Sequence, residues 1–159
     1  MPAPVEIALY EPDIPQNTGA VMRTVACLDV ALHIIEPCGF VLSDARMRRS
    51  GMDYLDHLVM TRHASWTGFR DSLGDRRLVL LTTAAETRLP AFRFRPGDML
   101  LFGRESAGVP ENVHAAADAQ VRIPLAPGTR SLNLAASAAM VLATALGQLG
   151  AYPGEPDIP

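Results

Sequence analysis

Short apolar runs alternate along this chain with stretches whose apolar positions recur at helical spacing. Residues 5–10 read as a first strand, with Ile7 and Leu9 apolar, and Pro12 and Pro15 end it. Over residues 18–28, Val21, Met22, Val25 and Leu28 fall on one helical face, which predicts a helix with Asn17 as its N-cap. Residues 31–35 predict a second strand, ended by Pro37 and Gly39, and residues 43–49 a short polar helix capped by Ser43. A third strand is expected at 58–61 and a short helix at 66–73. The run Leu78-Val79-Leu80-Leu81 within residues 77–82 has the pattern of a strand buried on both faces. Residues 84–97 read as a loop with an edge segment around Phe92 and Phe94. Met99-Leu100-Leu101-Phe102 is another buried strand, and Pro110 suits the first turn of a helix running to Ala117. Residues 120–123 form the last predicted strand. Ser131 is the expected cap of a final helix striped by Leu134, Ala138, Val141, Ala145 and Leu149.

This alternation implies an α/β fold with a mainly parallel sheet flanked by helices. It also implies a single domain over residues 1–150 and a frayed tail at 151–159. Ligands bind such sheets at the carboxyl ends of strands. The loops after Leu81, Phe102 and Ile123 all leave from such ends.

Composition narrows the class. The chain has 159 residues, 48% hydrophobic and 19% charged, which suits one ordered domain that needs no disulfide or metal staple. No apolar run reaches the length of a membrane span, and no basic stretch precedes an apolar core at the N-terminus, so the expected compartment is the cytoplasm. Cys27, within an apolar helical stretch, is expected as a small buried hydrophobe, and Cys38 as a turn residue. The net charge of −3 weighs mildly against nucleic-acid binding, yet all 14 basic residues are arginine, the side chain suited to phosphate. The cluster Arg46, Arg48 and Arg49 is dense. Compositional avoidance of lysine explains the arginine excess equally well.

Several familiar sites are excluded. No G-x-G-x-x-G is present, and Val109-Pro110 replaces the Lys-Ser/Thr that a P-loop opening with Gly103 and Gly108 would need. There is no G-x-S-x-G elbow and no H-E-x-x-H. His33, His57, His63 and His114 are therefore expected at the surface or as supports for other groups, and no metal site is expected. What remains is a pair of loops, Phe102 to Pro110 and Ile123 to Leu134. Gly103 lets the chain approach a ligand closely, Pro124 and Pro127 stiffen the second loop, and the last helix offers unpaired N–H groups beside Ser131. Such walls suit an adenine-type ligand read by main-chain groups; ordinary turns would look similar.

At these residues the chain resembles the SPOUT class of RNA methyltransferases, the trefoil-knotted enzymes that use S-adenosyl-L-methionine. Asn17-Thr18-Gly19-Ala20-Val21-Met22-Arg23 resembles the family's first motif. Phe102-Gly103-Arg104-Glu105 through Gly108-Val109-Pro110 resembles the second, and Ile123-Pro124 through Ser131-Leu132-Asn133-Leu134 the third. The match is closer still to the short members that methylate the ribose of the tRNA wobble nucleotide. Leu9 through Gly19, His33-Ile34-Ile35-Glu36-Pro37 and Arg48-Arg49-Ser50-Gly51-Met52-Asp53-Tyr54 carry it.

The resemblance implies a deep C-terminal knot and a homodimer whose active site is shared between subunits. It implies S-adenosyl-L-methionine as cofactor and the anticodon stem-loop of tRNA as partner. It assigns Arg23 to activation of the ribose hydroxyl, by orientation and charge stabilisation. Asn17 and Glu105 would organise the loops around it, and Asn133 would support the last-helix end. Leu81, Gly103, Ile123 and Ser131 match its cofactor-contacting positions. Arg46, Arg48 and Arg49 are candidates for tRNA phosphate contact or for a surface or dimer role. The competing expectations are the same fold acting on ribosomal RNA ribose or a tRNA base, and a non-catalytic dimer that binds RNA or cofactor.

Overall fold

The computed structural model describes residues 3–49 and 53–154. The side chains of Arg48 and Arg49, together with Ser50, Gly51 and Met52, lie outside that description, as does the tail from residue 155.

Seven strands form one sheet: β1 (Glu6–Tyr10), β2 (Leu32–Ile35), β3 (Met60–His63), β4 (Leu78–Leu81), β5 (Thr87–Arg88), β6 (Met99–Phe102) and β7 (Ala119–Arg122). Their order is β3-β2-β1-β6-β4-β7-β5, and every pairing is parallel. Parallel neighbours need crossovers, which the helices supply. These are α1 (Pro15–Cys27), α2 (Asp44–Arg49), α3 (Trp66–Ser72), α4 (Glu111–Ala116) and α5 (Leu134–Leu149).

The pleat sorts the apolar runs into two layers. Ile7, Leu9, Val79, Leu100, Phe102 and Val121 point to the face covered by α1, α2 and α5. Ala8, Tyr10, Leu78, Leu80, Met99 and Leu101 point to the face covered by Phe69 of α3 and Val113 of α4. Strands buried on both faces carry unbroken apolar runs, as the sequence pattern predicts. No helix among the described residues is long and apolar enough to cross a membrane.

Several local expectations shift. Asn17 is not the cap of α1: Pro15 occupies the first turn, where its missing N–H costs nothing, and Ile14 precedes it without a side-chain cap. Ser131 is not the cap of α5; Asn133 is, its Oδ1 accepting from the N–H groups of Ala135 and Ala136. Cys27 is exposed, because α1 buries Thr18, Val21, Met22 and Val25 and position 27 lies on the far side of that stripe. Strand β3 starts two residues later than expected, since Asp53–His57 form a 3-10 turn and Met60 pairs with Leu32. The edge strand is Thr87–Arg88. Phe92 and Phe94 instead pack into the core as an edge-to-face pair 4.9 Å apart. Gln148 of α5 replaces a neighbouring strand for them: Phe94 N–H donates to its Oε1 at 2.8 Å, and its Nε2 donates to Phe92 O at 2.9 Å.

Candidate functional site

The sheet register sets three loops at one level. Leu81 is aligned with Phe102 on one side and with Val121 on the other, so the loops that follow β4, β6 and β7 leave the carboxyl edge together. After β7 the chain returns towards the middle of the sheet, where α5 packs beside α1. The start of α5 is thereby brought against the loops of β4 and β6.

Between them lies a cleft of about 730 Å³. Asn17, Leu81, Gly103, Glu105, Ile123, Ser131 and Asn133 all line it. Residues of three separate motifs thus share one wall system. Thr82, Thr83 and Ser137 line it too, outside the motifs, and sequence reasoning gave none of them a role. Only their position next to the motif residues along the chain could have signalled them.

The loop after β6 is fastened to itself. Arg104 N–H donates to Gly108 O at 3.0 Å, and Gly108 N–H to Arg104 O at 2.8 Å. Gly103 sits so close to this turn that a Cβ there would lie 2.7 Å from Gly108 C, which no real contact tolerates. Gly108 itself has φ +64, the left-handed region that glycine adopts without strain. These two positions therefore require glycine for backbone reasons.

Asn133 links the cleft's two sides. Its Nδ2 donates to Asn17 Oδ1 at 2.8 Å while its Oδ1 caps α5, so one side chain ties the first motif to the third. Glu105 is tied to the first motif as well: the Asp13 N–H donates to its Oε2 at 3.1 Å. Burial, reinforced by the neighbouring Asp13 carboxyl, pushes the Glu105 carboxyl above the usual range. Asp13 moves the other way, held below its ordinary value chiefly by the adjoining Glu105 carboxyl, then by the hydrogen bond from the Ser106 hydroxyl.

Arg23 is the exception among the predicted site residues. It is exposed, does not line the cleft, and places its guanidinium 5.6 Å from the centre of the Tyr54 ring. The helix explains this: the six positions from Asn17 to Arg23 rotate by about 240°, so the two side chains leave different faces. Arg46 borders a smaller apolar hollow between α1 and α2, with Thr18, Met22, Phe40 and Leu42.

The cleft's volume is that of a nucleoside-sized ligand pocket. Its lining sets the apolar residues Ile14, Leu125 and Leu134 beside the polar or small residues Thr82, Gly103 and Ser131, which fits a flat heteroaromatic ring with a polar tail.

The model of the SpoU rRNA Methylase family matches residues 4–143. A tRNA (cytidine(34)-2'-O)-methyltransferase of Beijerinckia indica subsp. indica is 57% identical over 155 residues, 96% of this chain and 97% of its own. A solved structure concerned with the 2-OH methylation of C/U34 on tRNA is 41% identical, with a TM-score of 0.86, covering 92% of this chain and 96% of that one. The SpoU methyltransferase AviRb from Streptomyces viridochromogenes, solved in complex with the cofactor AdoMet, is 25% identical with a TM-score of 0.77, covering 94% of this chain and 62% of its own.

Proposed function

The chain belongs to the SpoU rRNA methylase family, and from that premise and the cleft we propose that it methylates the 2′-hydroxyl of the wobble ribose, cytidine or uridine 34, in tRNA. The observation that carries this reading is the assembly of three separated motifs around one cleft, joined by the Asn133–Asn17 hydrogen bond.

S-adenosyl-L-methionine is the cofactor in this proposal and supplies, when bound, an electrophilic methyl group on a sulfonium. Leu81, Gly103, Ile123 and Ser131, which line the cleft, would hold it, largely through backbone groups and with no metal. Asn17, Glu105 and Asn133 brace the loops. Arg23 orients the ribose hydroxyl and stabilises the negative charge that grows on its oxygen; a guanidinium stays protonated and does not act as a base. That oxygen would accept the methyl group, and its proton would pass to solvent.

Arg23 lies outside the cleft of its own chain, which supports a homodimer in which one subunit's arginine completes its partner's site. The adjoining exposed residues of α1 and α5 are Ala20, Cys27, Ala136, Met140, Ala143 and Gly147, mostly small enough for close approach by a second copy. The return of the chain from β7 to α5 across the loops of β4 and β6 supports a deep knot. We also place the enzyme in the cytoplasm, as one domain over residues 1–150, with the anticodon stem-loop as its RNA partner.

The test is transfer of labelled methyl from S-adenosyl-L-methionine to total tRNA, followed by mapping of the modified nucleotide. Label at the wobble ribose is expected. Label at another nucleotide, or cofactor binding without transfer, overturns the proposal. Arg23→Ala is expected to abolish transfer while leaving cofactor affinity, measured by calorimetry, within about twofold.

A further inference from the structure

Two carboxyl groups meet where three loops converge beside the cleft. Asp13, between β1 and α1, donates its N–H to Glu105 Oε2, and its Oδ2 accepts from the Ser106 hydroxyl. Gly39, from the loop after β2, packs so tightly on Asp13 that an added Cβ would stand 2.7 Å from the Asp13 Cβ. Asp13 Oδ1 and Glu105 Oε1 are both buried, and neither has a hydrogen-bond partner. Two neighbouring carboxylates have no donor between them, so these two oxygens can satisfy each other only with a proton on one.

We propose that Asp13 is a positioning residue that shares one proton with Glu105 between these two oxygens, and that a positively charged ligand in the cleft expels this proton. The negative charge stays on Asp13, where the Ser106 hydroxyl and the Arg104 guanidinium, 3.7 Å away at Nε, stabilise it. The proton sits on Glu105, the member of the pair that lines the cleft. Of the other titratable groups nearby, Tyr10 at the end of β1 lies near both Glu11 and Arg104. The loop after β2 meets Asp13 at Gly39, which carries no charge.

A cation in a partly dry cleft favours the ionised carboxylate, so the Glu105 proton is released to solvent as the cation enters. This rests on reading the cleft as an S-adenosylmethionine site. Transfer of the methyl group leaves a neutral thioether and frees the proton of the accepting hydroxyl. With the positive charge gone, Glu105 takes up a proton again and its hold on the product weakens. The pair thus makes the cleft discriminate substrate from product by charge.

The experiment is calorimetry of wild-type protein with S-adenosylmethionine and with S-adenosylhomocysteine, in buffers of different ionisation enthalpy. The two ligands differ by one methyl group and one charge, and they are compared at mildly acidic pH, where the amino group of each stays protonated. The sulfonium ligand is expected to release up to about one more proton than the thioether. Asp13→Asn, which offers Glu105 an amide donor and leaves it ionised beforehand, abolishes the difference, as does Glu105→Gln. Equal proton counts in the wild type, or a difference that survives in Asp13→Asn, overturn the proposal. Infrared spectroscopy gives a ligand-independent reading: a protonated-carboxyl band is expected in the wild type and lost in Glu105→Gln, and its absence from the wild type also overturns the proposal. Failure to bind either ligand, with the band present, removes the cofactor reading and leaves the shared proton standing.

Discussion

Asn133 shows how much one side chain carries here. Its carbonyl oxygen satisfies two N–H groups at the start of α5, and its amide nitrogen reaches Asn17 on another helix. Asn133→Ala is expected to lower stability by about 0.5–2 kcal/mol through the lost cap, read from denaturant unfolding. Asn133→Asp keeps the cap, so its stability stays near wild type while the link to Asn17 is lost. The motif identified Asn133 as a site residue. Its capping role was not legible, because Ser131 and Asn133 are both good caps and only the backbone path chooses between them. Histidines behave similarly. His33 Nδ1 lies 2.8 Å from His63 Nε2, and His33 Nε2 lies 2.9 Å from Glu6 Oε1, with Phe69 against both rings. Neutral rings satisfy this chain: His63 donates to His33, and His33 donates to Glu6. Burial holds both imidazoles below the ordinary 6.5. The folded state therefore binds fewer protons than the unfolded chain near that pH, so the contribution is full above 6.5 and is lost as pH falls below it. Chemical unfolding at neutral and mildly acidic pH is expected to show this fall, and His33→Gln should flatten it.

Among the elements, α5 is the one whose sequence signal and structural role differ most. Its apolar stripe at Ala138, Val141 and Ala145 was readable from spacing and is buried. Its other duty was not readable. Gln148 near its end hydrogen-bonds the backbone on both sides of the Phe92–Phe94 segment, which local pattern alone marked as an edge strand. Gln148→Ala leaves the Phe94 N–H and the Phe92 carbonyl part-buried without those partners, and a loss of about 1–3 kcal/mol is expected by thermal or chemical unfolding. Gln148→Glu restores the acceptor alone and is expected to fall in between. The late start of β3 has the same kind of cause. Residues 58–61 carry the pattern, but pairing with β2 is decided by register against Leu32 and by the His33–His63 contact.

At the scale of the molecule, the cleft gathers seven of the eight predicted site residues and leaves Arg23 out. A shared site predicts complementation. Gly103→Ala closes the cleft by its clash with Gly108 but keeps a normal Arg23, whereas Arg23→Ala keeps a normal cleft. Each protein alone is expected to be inactive in methyl transfer. After mixing and subunit exchange, half the dimers are mixed and each has one complete site, so activity should return to about a quarter of wild type. Continued inactivity of a mixture that has demonstrably exchanged would place Arg23 and the cleft of one chain in the same site.

The sequence by itself determined the alternation of strands and helices, the buried runs of β4 and β6, and the motif residues that carry the family chemistry. These are local properties: an apolar period, a glycine that nothing larger can replace, an ordered set of polar residues. The strand order that puts β6 and β4 between β1 and β7 and the choice of Asn133 as the cap were decided only by the tertiary structure. So was the meeting of Asp13 with Glu105, 92 positions apart along the chain. Each depends on which segments the packed sheet brings side by side, and neither spacing nor propensity along one chain contains that information.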